Sequence, residues 1–237
     1  MIRRYADLHA PLLPILRYTL AQAALPRAGL ALDLACGAGE KGPILAQALG
    51  PGVQLLGVDI DRALARSYQR TIVGDARALP LCDACLDAAF CIAALGLLAD
   101  PVAALRELRR ALRPGAPAVI FTAAQLWAQV IRWPEDLAEQ LAIVDAEREE
   151  RGASPDLGGD LAGKLADAGF ASRRTRAFLL EDAPHPSRLE LPLLPWAALR
   201  PLAASRLSAL DLARCDAAAS APDVELTAVA LVGVAVR

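Results

Sequence analysis

The stretch "LDLACGAGEKG", residues 32–42, is an apolar run that ends in an acid and passes into a turn holding Gly37, Gly39 and Gly42. Glycines let a backbone turn sharply and come close to a ligand. A helix that starts just after such a turn points its free amides at the same spot. The open question is which ligand: a dinucleotide, a phosphate, or a group that prefers a carboxylate nearby.

The surrounding sequence supplies the frame. "GLALDLA" (29–35) reads as a buried strand, and "KGPILAQAL" (41–49) as a helix stopped by Gly50-Pro51-Gly52. Further strands are expected at 53–59, 71–76, 86–95 and 117–123, with helices at 61–70 and 100–115. The last of these helices carries apolar residues at 102, 105, 108 and 112. Strands alternating with helices imply a parallel sheet covered on both faces, with ligands at the carboxyl ends of the strands. The turn at 36–42 lies at such an end.

Beyond residue 124 the character changes. Helices are expected at 134–152 and 156–170, the latter capped at Gly169, then a strand at 172–181. A proline-rich loop at 183–196 leads into a helix reaching about 214, and "VELTAVALVGVAVR" (224–237) is the final strand. At the front, residues 4–25 read as helical with interruptions near Pro11 and Pro14.

Composition narrows the function. The chain has 237 residues, 55% hydrophobic and 22% charged, so it is globular. Its 25 Lys and Arg nearly balance 27 Asp and Glu, which gives no sign of a nucleic-acid or anionic-membrane partner. Two arginines precede an apolar stretch at the N-terminus, but Asp7, Pro11, Pro14 and Arg17 break it. The uncharged run 114–131 holds two prolines and two glutamines and reads as a turn, a strand and a helix start. A cytoplasmic protein is expected. Five cysteines (36, 82, 85, 91, 215) form no even-numbered disulfide framework.

Gly37-x-Gly39-x-x-Gly42 matches the dinucleotide fingerprint, and Asp59, 20 residues after Gly39, is placed to hold ribose hydroxyls. Asp33 separates the options. A carboxylate at the strand end repels a pyrophosphate but favours a cation, and Glu40 adds to that preference. S-adenosylmethionine (SAM) carries an ammonium and a sulfonium as well as an adenosine.

At this point the sequence resembles a known family. "LDLACGAG" is similar to motif I of the class I SAM-dependent methyltransferases, with Ala35 in place of the first glycine. "GVDID" (57–61) resembles motif II. "GDARALPLCDACLDAAFC" (74–91) resembles the adenine-binding segment, and "LRELRRALRPGAPAVI" (105–120) the helix, turn and fifth strand that follow. "LAGKLADAGF" (161–170) and residues 224–237 match more loosely. The resemblance implies an α/β, Rossmann-like doubly wound sheet, mostly parallel with an antiparallel last strand, plus helical lid elements. It implies one domain: a helical cap at 1–27, a SAM-binding core at 28–123, and lid or acceptor-pocket segments at 124–156 and 182–222.

The resemblance also assigns roles. Asp33, Ala35, Gly37 and Gly39 would frame the cofactor turn, Asp59 would take the ribose, and Ile60 would sit beside it. Asp75 would take the adenine amine and the Ala76 amide a ring nitrogen. Tyr5 would reach the methionine end.

Methyl transfer from a sulfonium needs alignment above all, and positioning alone can supply about 7–11 kcal/mol. A base is needed only for an acceptor that arrives protonated. His185 and His9 are the only histidines and the candidate bases. Trp127, directly after the fifth strand, is the candidate acceptor-pocket residue. "CDACLDAAFC" (82–91) lacks a second ligand pair or a nearby histidine, so no metal is expected. The arginines of 106–113 and of "SRRTR" (172–176) read as solvated surface. The expected partner is a small-molecule acceptor. A non-catalytic SAM-binding protein and, more distantly, an NAD-dependent oxidoreductase are the alternative readings.

Overall fold

A computed structural model describes residues 13–65, 70–98, 100–123, 128–130, 134–150, 160–181, 200–219 and 225–237. Five apolar runs form parallel strands: β1 (Ala28–Leu34), β2 (Gly52–Asp59), β3 (Thr71–Val73), β4 (Ala88–Ile92) and β5 (Pro117–Ala123). They lie side by side in the order β3-β2-β1-β4-β5. β1 pairs with β2 from Ala28↔Gly52 to Leu34↔Val58, and with β4 from Ala31↔Ala88 to Leu34↔Cys91. The strand order therefore reverses at β1, which opens a crevice at its carboxyl end.

β6 (Ala128–Val130), β7 (Ser172–Glu181) and β8 (Glu225–Val236) complete the sheet. β8 runs antiparallel to β5, from Pro117↔Val236 to Ala123↔Ala230. It is also antiparallel to β6 and β7, and Thr227 is paired to both Ala128 and Glu181. The antiparallel last strand is thus as expected.

All five residues of β4 are buried, as a strand covered on both faces requires. One face packs against α1 (Leu13–Gln22) and α2 (Gly42–Ala48), through Leu16, Leu20, Leu45, Phe90 and Phe121. Pro14 sits in the first turn of α1, where a missing amide hydrogen costs nothing. The other face packs Leu32, Leu34 and Ile120 against Leu105 and Leu108 of α4 (Pro101–Ala111) and Leu165 of α6 (Leu161–Asp167). Asp100 caps α4 by accepting from the Ala103 amide at 2.9 Å, and Pro101 is its first residue. Gly169 closes α6 at φ +86°.

A third apolar cluster lies among later helices. Leu137, Leu141 and Val144 of α5 (Glu135–Glu150) meet Ala203, Leu207 and, from α7 (Ala209–Ala219), Cys215 and Ala219. Arg214 grips Asp136 through two bonds of 2.7 and 2.8 Å, and Arg200 grips Asp216 at 2.7 Å. Helices from the two expected lid segments therefore pack on each other. A short helix, α3 (Arg62–Ala65), follows β2.

Some expectations are corrected. A helix start was expected after β5, but residues 128–130 form β6, because β8 runs long enough to supply them a partner. The helix expected up to about 214 is broken at 204–208 and resumes through Ala219. Three of the arginines of 106–113 are ties rather than solvated surface. Arg110 donates to the Leu79 and Leu81 carbonyls, Asp83 and Glu107, Arg106 to the Asp167 carbonyl, and Arg113 pairs with Asp87. Their long side chains reach carbonyls left over by neighbouring loops. Among the described residues, no helix is long and apolar enough to cross a membrane.

Candidate functional site

β1 leaves the sheet through three left-handed residues: Ala35 (φ +54°), Gly37 (φ +54°) and Gly39 (φ +79°). Two are glycines, as this conformation favours. Ala35 adopts it at a cost of about 1 kcal/mol. The turn is closed by Gly39 N–H donating to the Cys36 carbonyl and Gly42 N–H to the Gly39 carbonyl, both at 2.9 Å. Among the described residues a side chain at Gly37 would meet nothing within 4 Å, so its glycine answers to backbone conformation.

Asp59, the last residue of β2, ties the turn to its neighbours. One carboxylate oxygen accepts from Gly37 N–H at 2.7 Å and the other from Asp61 N–H at 2.9 Å. Each oxygen keeps a lone pair for a further donor. The Asp59 carbonyl accepts from Gly74 N–H at 2.9 Å, which brings the segment after β3 alongside. Gly74 is required there, since a Cβ would stand 2.9 Å from the Pro80 ring.

These strand ends enclose a cavity of about 240 Å³, lined among others by Ala35, Asp59, Ile60, Asp75, Ala76 and Arg77. Five of these are sequence-expected site residues. Ile60 is 70% exposed on its rim, a large apolar surface left in water. Arg77 escaped the sequence reading. It grips Asp75 at 2.7 Å, and its own amide donates to the same carboxylate at 2.8 Å. Together these hold the Asp75 carboxyl down to about 2. The signal available was the Asp75-x-Arg77 spacing within "GDAR".

Asp33 lies under the turn rather than in the cavity wall. It is 1% exposed, on the β1 face covered by α1 and α2, and its Oδ2 has no hydrogen-bond partner among the described residues. Burial pushes its carboxyl up to about 7; Lys41 lowers it and Asp59 raises it further. Lys41 is therefore the balancing charge that the reading of Glu40 overlooked. Burial also drives the Cys36 thiol up to about 12, aided by Asp33 and Asp59, so it stays neutral.

Tyr5, His9, Trp127 and His185 lie outside the described residues. Among the described residues, no group of three or more His, Cys, Asp or Glu is placed to hold a metal.

Against known proteins, the profile described as "Methyltransferase domain" matches residues 32–120, which run from β1 through the cavity-lining segments to β5. Residues 32–120 thus carry a methyltransferase domain. An uncharacterized 37.1 kDa protein in a Streptomyces fradiae transposon is 32% identical over 60% of this chain and 43% of its own length. A 2-phytyl-1,4-naphtoquinone methyltransferase of Synechococcus elongatus is 34% identical over 43% of this chain and 48% of its own. The chain thus spans about half the length of these curated relatives. The crystal structure of the Bacillus subtilis YcgJ protein superposes with a TM-score of 0.60 at 16% identity, over 93% of this chain and 97% of that one. At that identity the likeness speaks for the fold alone.

Proposed function

We propose that this protein is a SAM-dependent methyltransferase, which binds SAM in the cavity at the carboxyl ends of β1 and β2 and transfers its methyl group to a small-molecule acceptor. The observation that carries the reading is the convergence of Asp59, Ile60, Asp75 and Ala76 on that one cavity. The residues fit the cofactor. Ile60 offers an apolar surface for a purine, and Asp59 has lone pairs for two ribose hydroxyls. Asp75 and the Ala76 amide meet the adenine edge, Asp75 once its grip on Arg77 is shared. Asp33 acts from beneath the turn without touching the ligand: when ionised, its charge favours a cation above it and opposes a pyrophosphate.

When bound, SAM supplies an electrophilic methyl group for in-line displacement. This chain's part is to align the acceptor and exclude water. On the same reading the methionine end is assigned to Tyr5, the acceptor to Trp127, and proton acceptance, where the acceptor carries a proton, to His185 or His9, all outside the described residues. Support for an apolar acceptor comes from "LELPLLPWAALRPL" (189–202) and from the naphthoquinone in the relative's name. A cytoplasmic location fits five free cysteines.

Calorimetric titration with SAM, S-adenosylhomocysteine and NAD tests the reading, with Ile60→Ser and Asp59→Ala beside the wild type. Both adenosyl ligands should bind and NAD should not. Ile60→Ser, at an exposed position, should weaken SAM about tenfold, since it removes roughly 1.4 kcal/mol of apolar contact. NAD binding without SAM binding would overturn it. SAM binding with no S-adenosylhomocysteine formed from any acceptor, quinols included, would leave a non-catalytic SAM-binding protein.

A further inference from the structure

Two thiols lie side by side in the loop between β3 and β4. Cys82 is exposed and Cys85 half-buried. Residues 83 and 84 make the turn between them, with Ala84 left-handed at φ +50°. The Cys85 thiol donates to the Cys82 carbonyl at 3.0 Å. Burial first, then hydrogen bonding with the Cys82 sulfur, raises the Cys85 thiol above its ordinary value. A four-residue turn brings its end Cα atoms within about 7 Å. A disulfide spans about 4.4–6.8 Å between Cα atoms.

The backbone around the pair is pinned independently. Ala84 N–H donates to the Arg110 carbonyl at 3.0 Å, and the Cys85 and Leu86 amides to the Ala111 carbonyl at 2.8 and 2.9 Å. Arg110 holds Asp83 at 2.6 Å and the Leu81 carbonyl at 2.8 Å. Joining the two sulfurs therefore asks for side-chain rotation with little movement of the chain. Cys36, Cys91 and Cys215 are buried away from solvent.

We propose that Cys82 and Cys85 are a redox-active pair, which a low-molecular-weight disulfide such as glutathione disulfide oxidises to a bridge across the turn. The exposed Cys82 reacts first, as its thiolate. It attacks one sulfur of the small disulfide, whose S–S bond breaks, and the released thiolate takes a proton from water. Cys85 then gives its proton to solvent and attacks the Cys82 sulfur, expelling the second small thiol. The protein loses two hydrogens, and one small disulfide becomes two thiols.

Incubation of the native protein with glutathione disulfide, followed by intact mass and peptide mapping, tests this. Wild type should lose two hydrogens, with the bridge mapped to 82–85 and reversed by dithiothreitol. Cys85→Ser should stop at one glutathione adduct on Cys82, and Cys82→Ser should react far more slowly. A wild type that accumulates the Cys82 adduct, or that stays reduced while its denatured form reacts, overturns the proposal.

Discussion

Removing the charge of Asp33 should stabilise the protein above neutral pH. The Asp33 carboxyl ordinarily titrates at 3.8 and is pushed to about 7 in the fold, chiefly by burial. Between those values the folded state keeps a proton that the unfolded chain has lost. Stability from this group is therefore highest below pH 4, falls as pH rises toward 7, and is flat beyond. Three units at roughly 1.4 kcal/mol each make the loss about 4 kcal/mol. Asp33→Asn keeps the shape without the charge. Urea unfolding at pH 5 and pH 8 reads the effect: the variant's advantage should grow by about 3 kcal/mol between the two, the rest having been lost below pH 5. The same charge should help hold SAM, so binding near pH 6 should release a proton from wild type and none from the variant. Calorimetry in two buffers of different ionisation heat measures that release. Parallel stability curves, or equal proton release, would refute the account of Asp33 as a buried acid kept for a cation.

Three further outcomes are expected. Ala35→Gly should raise stability by about 0.5–1 kcal/mol, because glycine relieves the left-handed strain at φ +54°, and thermal melting will read it. Arg110→Ala should cost about 2 kcal/mol by freeing the Leu79 and Leu81 carbonyls and Asp83 at once. Lysine there should not restore the loss, since it lacks the forked donor set. Gly29→Ala should cost about 2 kcal/mol or more in urea unfolding, since φ is +113° and a Cβ would stand 2.0 Å from an Asp87 oxygen.

The strands on either side of the turn were legible because each is a short apolar run, and β2 and β3 stop at Asp59 and Gly74. α4 could be read from its periodicity, and the close of α6 from Gly169. The cavity walls were legible at Asp59, Asp75 and Ala76 because strand ends fix them. Other features depend on partners far along the chain. The Arg110 ties join α4 to a loop some thirty residues earlier, and no local pattern announces them. β6 exists only because β8 reaches it. The packing of α5 on α7 joins residues such as Asp136 and Arg214, whose complementarity is visible only in space. Asp33 was read as facing a ligand, whereas alternation along β1 turns it under the helices, where burial decides its protonation.

β8 comes after every strand it pairs with. During synthesis the β5 edge, with Val119, Ile120 and Phe121, emerges about a hundred residues before residues 225–236 can cover it. At about 5–20 residues per second that is an interval of roughly 5–20 s. For that time the nascent chain presents an open apolar edge, of the kind that recruits another chain. Yield in a cell therefore depends on what shields that edge while translation finishes, and slowing the ribosome over the intervening segment should lengthen the hazard.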